Sequence, residues 1–144
     1  MYKNNKGVPS DLSEQKREEI TVELYRKAAG KGNAAAQNNL GTMYYNGKGI
    51  PSNLSEQKRQ KIAAQWYQKA AEQGHAESQN NLGTMYYNGK GVPSDLSEQA
   101  RYEIAAKWYK KAANKGNASA QYHLGVMYAD GEGVTQNYKE AVKW

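Results

Sequence analysis

The chain has 144 residues, a formal net charge of +6, 38% hydrophobic residues, three prolines and no cysteine. That length allows one ordinary domain or a short repeat array, and the missing thiols exclude disulfides, thiolate chemistry and cysteine-ligated zinc. No apolar run reaches the ~20 residues of a membrane-spanning helix, so membrane insertion is not expected. The compartment stays open between the cytoplasm and a periplasmic or secreted location with the signal outside this sequence. The positive charge favours an acidic partner through long-range attraction. Its lysines are spread over fixed positions rather than gathered into a dense stripe, which argues against nucleic acid.

The sequence matches itself at a shift of 42 residues: NNLGTMYYNGKGIPSNLSEQKR from Asn38 and NNLGTMYYNGKGVPSDLSEQAR from Asn80 differ at three of 22 positions. A period of this size indicates a solenoid of small helical units. Taken in chain order, residues 1–10 read as the end of a preceding unit, since Met1-Tyr2 matches Met43-Tyr44 and Gly7-Val8-Pro9 matches Gly49-Ile50-Pro51. Units then follow at 11–52, 53–94 and 95–136, and 137–144 begins a fourth, all within one domain. In the last unit the spacing from Gly133 to Trp144 is six residues shorter than from Gly49 to Trp66, so the long units read as a 36-residue design carrying an insertion.

Within each unit a first helix, A, is predicted to start just after a cap at Asp11, Asn53, Asp95 or Asn137, each followed three residues later by glutamate in capping-box spacing. In the second unit Ile62, Trp66 and Ala70 form one row at helical spacing, and Ala63, Tyr67 and Ala71 form its neighbour. Helix A is expected to run roughly 18 residues, about 27 Å, and to end at Gly32, Gly74 or Gly116. A second helix, B, carries Leu40-Gly41, Leu82-Gly83 and Leu124-Gly125 in register. Glycine inside a helix costs up to ~1 kcal/mol against alanine, so its recurrence predicts a close helix crossing. These six residues, with Trp66 and Trp108, are assigned structural roles. Asn-Gly pairs then stop helix B, a second glycine turns the chain, and Pro93 blocks continuation.

No catalytic, cofactor or metal-binding constellation is legible. His75 aligns with Asn33 and Asn117 and reads as a variable turn residue, and His123 aligns with Asn39 and Asn81 without a serine or metal cluster beside it. Gly47-Lys48-Gly49 and Gly89-Lys90-Gly91 lack the preceding strand and the full spacing of a phosphate loop.

The stretches AAQWYQKAAEQGHAESQNNLGTMYYNGKGVPSD, from Ala63, and AAKWYKKAANKGNASAQYHLGVMYADGEGVTQN, from Ala105, resemble the Sel1-like repeat family, a relative of the tetratricopeptide repeats. The resemblance spans nearly the whole chain. It implies an all-α fold, a right-handed solenoid of antiparallel helix pairs with helix A on the concave face. It also implies an adaptor that holds proteins or peptides. Hydrolase activity ascribed to some relatives has no counterpart motif here. The six-residue insertion departs from the family pattern and is expected to lengthen helix A at its start by about 9 Å, forming a ridge.

The leading functional expectation is therefore a protein- or peptide-binding scaffold without enzymatic activity or cofactor. A narrower alternative is a bacterial immunity or regulatory protein that neutralises one partner; an enzyme or cofactor binder is the rival class. Helix A varies between units outside its apolar stripe. Glu19, Lys61 and Glu103 share one register, Glu23, Gln65 and Lys107 a second, and Arg26, Gln68 and Lys110 a third; these are the candidate partner-binding positions. Tyr44, Tyr86 and Tyr128 are expected to stack in the core, which turns Tyr45 and Tyr87 elsewhere and makes them binding candidates too. At the far end Tyr138, Ala141 and Val142 are expected to pack inward and Trp144 to be left open, which would favour weak end-to-end self-association.

Overall fold

Serine, asparagine and glycine residues set most of the boundaries between helices in this computed structural model, which describes residues 13–144. The expected preceding unit at 1–10 and the cap at Asp11 lie outside those residues. Among the described residues seven helices follow in order: α1 (Glu14–Gly30), α2 (Ala34–Asn46), α3 (Glu56–Glu72), α4 (Ala76–Asn88), α5 (Glu98–Asn114), α6 (Ala118–Asp130) and α7 (Tyr138–Lys143). They form an all-α repeat solenoid of helix–turn–helix units, with α1, α3, α5 and α7 as A helices and α2, α4 and α6 as B helices.

The caps of the long A helices are not the predicted ones. Ser13, Ser55 and Ser97 hold the N-cap positions, each accepting from the backbone N–H three residues on. Asn53 and Asp95 sit two residues too early because Leu54 and Leu96 close turns onto the Pro51 and Pro93 carbonyls, and Leu54 packs against the core of the unit before it. Of the predicted caps in the described residues, Asn137 alone holds its place, accepting from Glu140 N–H at 3.1 Å. The A–B turns are closed by Schellman bonds: Asn33 N–H donates to Ala28 O at 3.1 Å, and Gly32, at φ 94°, donates to Ala29 O at 3.0 Å. Asn33, His75 and Asn117 cap the B helices.

Helix B of one unit packs most closely against helix A of the next. Seen from Gly83, a Cβ would stand 2.9 Å from the Tyr109 ring and 3.3 Å from the Ala105 carbonyl. Gly41 meets Tyr67 and Ala63 in the same way. Each tyrosine is fixed from above by a hydroxyl contact, Thr42 to Tyr67 and Thr84 to Tyr109, both at 2.8 Å. Each B helix is also tied back to its own A helix, by Gln37, Gln79 and Gln121 donating to the carbonyls of Ala29, Ala71 and Ala113.

The apolar side chains fall into one cluster per unit, and the tryptophan of the following unit closes each one. Trp66 packs on the cluster of Val22, Tyr25 and Leu40; Trp108 on that of Ala63, Tyr67 and Leu82; Trp144 on that of Tyr109, Leu124 and Met127. The tryptophans therefore lean backward along the array, and Trp144 is half-buried rather than left open. The exposed apolar groups of α7 are Tyr138 (68%) and Val142 (85%), against the expectation that both pack inward. Val142 stands in the register of Ala64 and Ala106, which are buried at 7% and 5%.

The insertion is divided between loop and helix. Ser55 precedes Trp66 by eleven positions but Asn137 precedes Trp144 by seven, so four extra residues lengthen helix A by about 6 Å. The other two lie in the loop. The added turn carries Arg59 and Arg101. Arg59 donates to the Tyr44 and Tyr45 carbonyls at 3.1 and 3.2 Å, and Arg101 to those of Tyr86 and Tyr87 at 3.2 and 3.0 Å. These are the open carbonyls at the end of the preceding helix B. In the short unit the backbone N–H of Asn137 and the Gln136 amide take the same two places, on Tyr128 O and Ala129 O.

Two expectations follow for stability. Gly30 has nothing within 4 Å of its Cβ position, so Gly30→Ala should stabilise by about 0.5–1 kcal/mol. Gly83→Ala should destabilise by about 1–3 kcal/mol despite alanine's better helix propensity, because the Tyr109 ring is held in place. Thermal melts of the two variants check this through opposite shifts of the midpoint. Arg101→Met, which keeps much of the stem but strips two carbonyls of a charged donor, should cost about 1.5–3 kcal/mol in urea unfolding.

Candidate partner-binding face

Helix-A side chains that point away from the packed stripe form a surface that changes from unit to unit at every step. Glu19, Lys61 and Glu103 are exposed, as are Glu23, Gln65, Lys107, Arg26 and Lys110, and Gln68 is half-buried. On α1 these groups are partly engaged with one another. Arg26 pairs with Glu23 and donates to the Tyr44 hydroxyl at 2.9 Å, and Gln15 donates to Glu19 at 3.2 Å. On α3 they border a concavity of about 1140 Å³. Lys61, Gln65 and Gln68 form one side of it, and Ala64, Tyr86 and Val92 supply apolar surface beneath. On α5, Lys107 and Lys110 have no carboxylate within ion-pair distance among the described residues.

The two tyrosine candidates are placed differently from one another. Tyr45 packs half-buried beside the second core cluster. Tyr87 stacks on Tyr102 with ring centroids 4.8 Å apart, and its hydroxyl donates to both Glu132 carboxylate oxygens at 2.9 and 3.0 Å. Desolvation, reinforced by that carboxylate, pushes Tyr87 up to about 12. Tyr102 and Glu132 are functional-site candidates that the helical pattern alone does not mark. Their signal lies in the repeat register, where Glu132 replaces Lys48 and Lys90, and Tyr102 replaces Glu18 and Gln60. Tyr44, expected in the core, packs there and accepts from Arg26.

Among the described residues the titratable groups do not converge on a reaction centre. Among the described residues no group of three His, Cys, Asp or Glu could hold a metal ion. His75 caps α4 through Nδ1, and His123 stacks on Tyr109 at 4.9 Å between ring centroids. No helix among the described residues is long and apolar enough to cross a membrane.

With this geometry in place, the family model described as Sel1 repeat matches residues 2–33, 34–75, 76–117 and 118–144. The chain belongs to the Sel1 repeat family. A crystal structure of a Sel1 repeat protein from Oxalobacter formigenes is 38% identical with a TM-score of 0.72, covering 90% of this chain and 48% of that one. A protective antigen present in uropathogenic Escherichia coli strains, displaying an SLR fold, is 36% identical with a TM-score of 0.49, covering 97% of this chain and 34% of that one. The chain thus spans about half the length of the first and a third of the second. No curated protein matches the chain.

Sel1 repeats, like the related tetratricopeptide repeats, are general protein–protein interaction scaffolds and typically non-catalytic. The family frame keeps the 42-residue period but starts the units at 34, 76 and 118 on helix B. That frame encloses the glycine-on-tyrosine contact and the backward-leaning tryptophan in a single unit. The candidate positions of helix A, such as Lys61, Gln65 and Gln68, then fall in the second half of the unit, interleaved with Ala63, Trp66 and Tyr67.

Burial also pushes Tyr109 up to about 12, opposed in part by its hydrogen bond with Thr84. A tyrosine raised in the folded state contributes stability that is complete below its unfolded value near 10 and lost as pH climbs toward 12. Helicity should therefore hold to about pH 10 and fall between there and pH 12. Glu132→Gln should bring the titration of Tyr87 down without moving that of Tyr109. Circular dichroism followed alongside tyrosinate absorbance checks both.

Proposed function

We propose that this Sel1 array is an adaptor that holds a protein or peptide segment along the outward face of α1, α3 and α5. The observation that carries the reading is the concavity beside α3, where Lys61, Gln65 and Gln68 stand over apolar surface from Ala64, Tyr86 and Val92. A polar margin around an apolar floor is the arrangement that seats a partner's side chains while excluding water. The positions at issue vary between units over a framework that does not, as expected of recognition laid on a scaffold. The net charge of +6 supports an acidic partner.

The test is retention of a partner from the source organism by the immobilised chain and by a Lys61→Glu, Lys107→Glu variant. Both lysines are exposed, so the variant should melt within about 0.5 kcal/mol of the parent. Binding should weaken about tenfold or more, mostly through slower association. Equal retention of the same partner by both proteins would show that the segment lies on another face.

A further inference from the structure

The seam between the second and third units differs from the one before it. At the first seam Gln73 of α3's C-cap donates to Gln37 Oε1 at 2.8 Å and closes the gap between units. At the second, Lys115 stands where Gln73 would be, and its ammonium turns to the Gly74 carbonyl instead. Gln79, the counterpart of Gln37, is 3% exposed and its Oε1 is left with no donor. An open furrow of about 520 Å³ results, lined by Trp108, Lys111 and Lys115 from α5 and its C-cap and by Ala71, Glu72 and Gln79 from the unit before. Trp108 is half-buried, and the Lys111 ammonium lies 5.1 Å from its ring centroid.

The lining of this furrow carries two ammonium groups, Lys111 and Lys115, against one carboxylate, Glu72, which accepts from Gln68 at 2.9 Å. From Ile104 to Ala129 there is no carboxylate, while α5 and its C-cap expose Lys107, Lys110, Lys111 and Lys115. None of the four has an ion-pair partner among the described residues. The same positions hold Glu23, Arg26, Lys27 and Lys31 in the first unit, and Gln65, Gln68, Lys69 and Gln73 in the second. Complementing the helix dipole accounts for the lysine that recurs at 27, 69 and 111. It does not account for the three that the third unit adds to the second unit's complement.

We propose that this furrow docks an acidic, extended segment of another protein, with carboxylates on Lys111 and Lys115 and one apolar side chain against Trp108. The proposal rests on the scaffold reading and assigns a place and a chemistry to one partner contact. Lys111 exchanges the indole ring for a carboxylate, which uncovers the tryptophan for the apolar side chain. Lys115 leaves the Gly74 carbonyl in the same way. Gln79 Oε1 is then positioned to accept from a main-chain N–H once Lys115 has moved. A nucleic acid fits less well, because no arginine borders the furrow and the Glu72 carboxylate in its lining repels a phosphate backbone.

Fluorescence anisotropy with the full chain and a labelled peptide of about ten residues, one leucine flanked on both sides by glutamates, tests the proposal. Saturable binding is expected, weakening as salt rises. Lys111→Glu with Lys115→Glu should reduce affinity about tenfold or more, and the corresponding Gln pair by less. Lys48→Glu with Lys90→Glu makes the same change in net charge at exposed loop positions and should leave the affinity near that of the parent. No binding by the parent, or equal loss in both Glu pairs, would overturn the furrow site. So would tighter binding of a single-stranded oligonucleotide through the same lysines. Loss of the native partner with Lys61→Glu, Lys107→Glu but not with Lys111→Glu, Lys115→Glu would keep the scaffold reading and sink this one.

Discussion

The approach of a helix-B glycine to a helix-A tyrosine is the contact on which the array depends. At Gly83 there is no room for a methyl group between the helix and the Tyr109 ring, and the ring is itself pinned by Thr84. A glycine in mid-helix lowers local stability, and the loss is offset by an interface close enough for alanines to pack backbone against backbone. Ala63, Ala70, Ala105 and Ala112 are all fully buried. A core rich in alanine, with one leucine, one tyrosine and one or two further apolar side chains such as Val22, Ile50, Met85 or Met127 per unit, has little side-chain volume, so short distances between helices replace the large residues that fill other cores.

That contact runs between units, and so do the others that matter. Each tryptophan closes the core of the unit before it, and Arg59 and Arg101 cap the carbonyls that the preceding helix B leaves open. Stability is then a nearest-neighbour property rather than a property of any one helix pair. The extra turn of the long A helices belongs to the same scheme. It converts a closure made by Asn137 and Gln136 in the short unit into one made by a charged side chain reaching from farther away. The inserted residues thus take part in joining two units.

Because the framework is so nearly repeated, differences between seams stand out. The first seam is closed by two glutamines, whereas the second is opened by Lys115 and left with an unpartnered carbonyl oxygen on Gln79. On the opposite end of the same helices, Tyr87, Tyr102 and Glu132 form a lock that the earlier unit lacks. One edge of the third unit is thereby tightened and the other left open with a row of lysines.

The sequence by itself determined the helices, their period and the family, because hydrophobic spacing and glycine positions are local signals repeated three times over. It also marked the close crossing at Gly41 and Gly83, since glycine inside a helix is costly unless a neighbouring helix needs the space. It set the outward helix-A positions off the apolar stripe, and all but the half-buried Gln68 are exposed. Only the tertiary structure decided which unit each contact joins. Trp144 is half-buried because tryptophan reaches back to the cluster of Tyr109 and Leu124, a direction that a helical wheel does not carry. Ser55 displaced Asn53 as the cap because Leu54 first had to reach the core of another unit. Tyr87 was drawn to Glu132, 45 residues away, and Arg101 to two carbonyls of the helix before it, through proximity that only stacking creates.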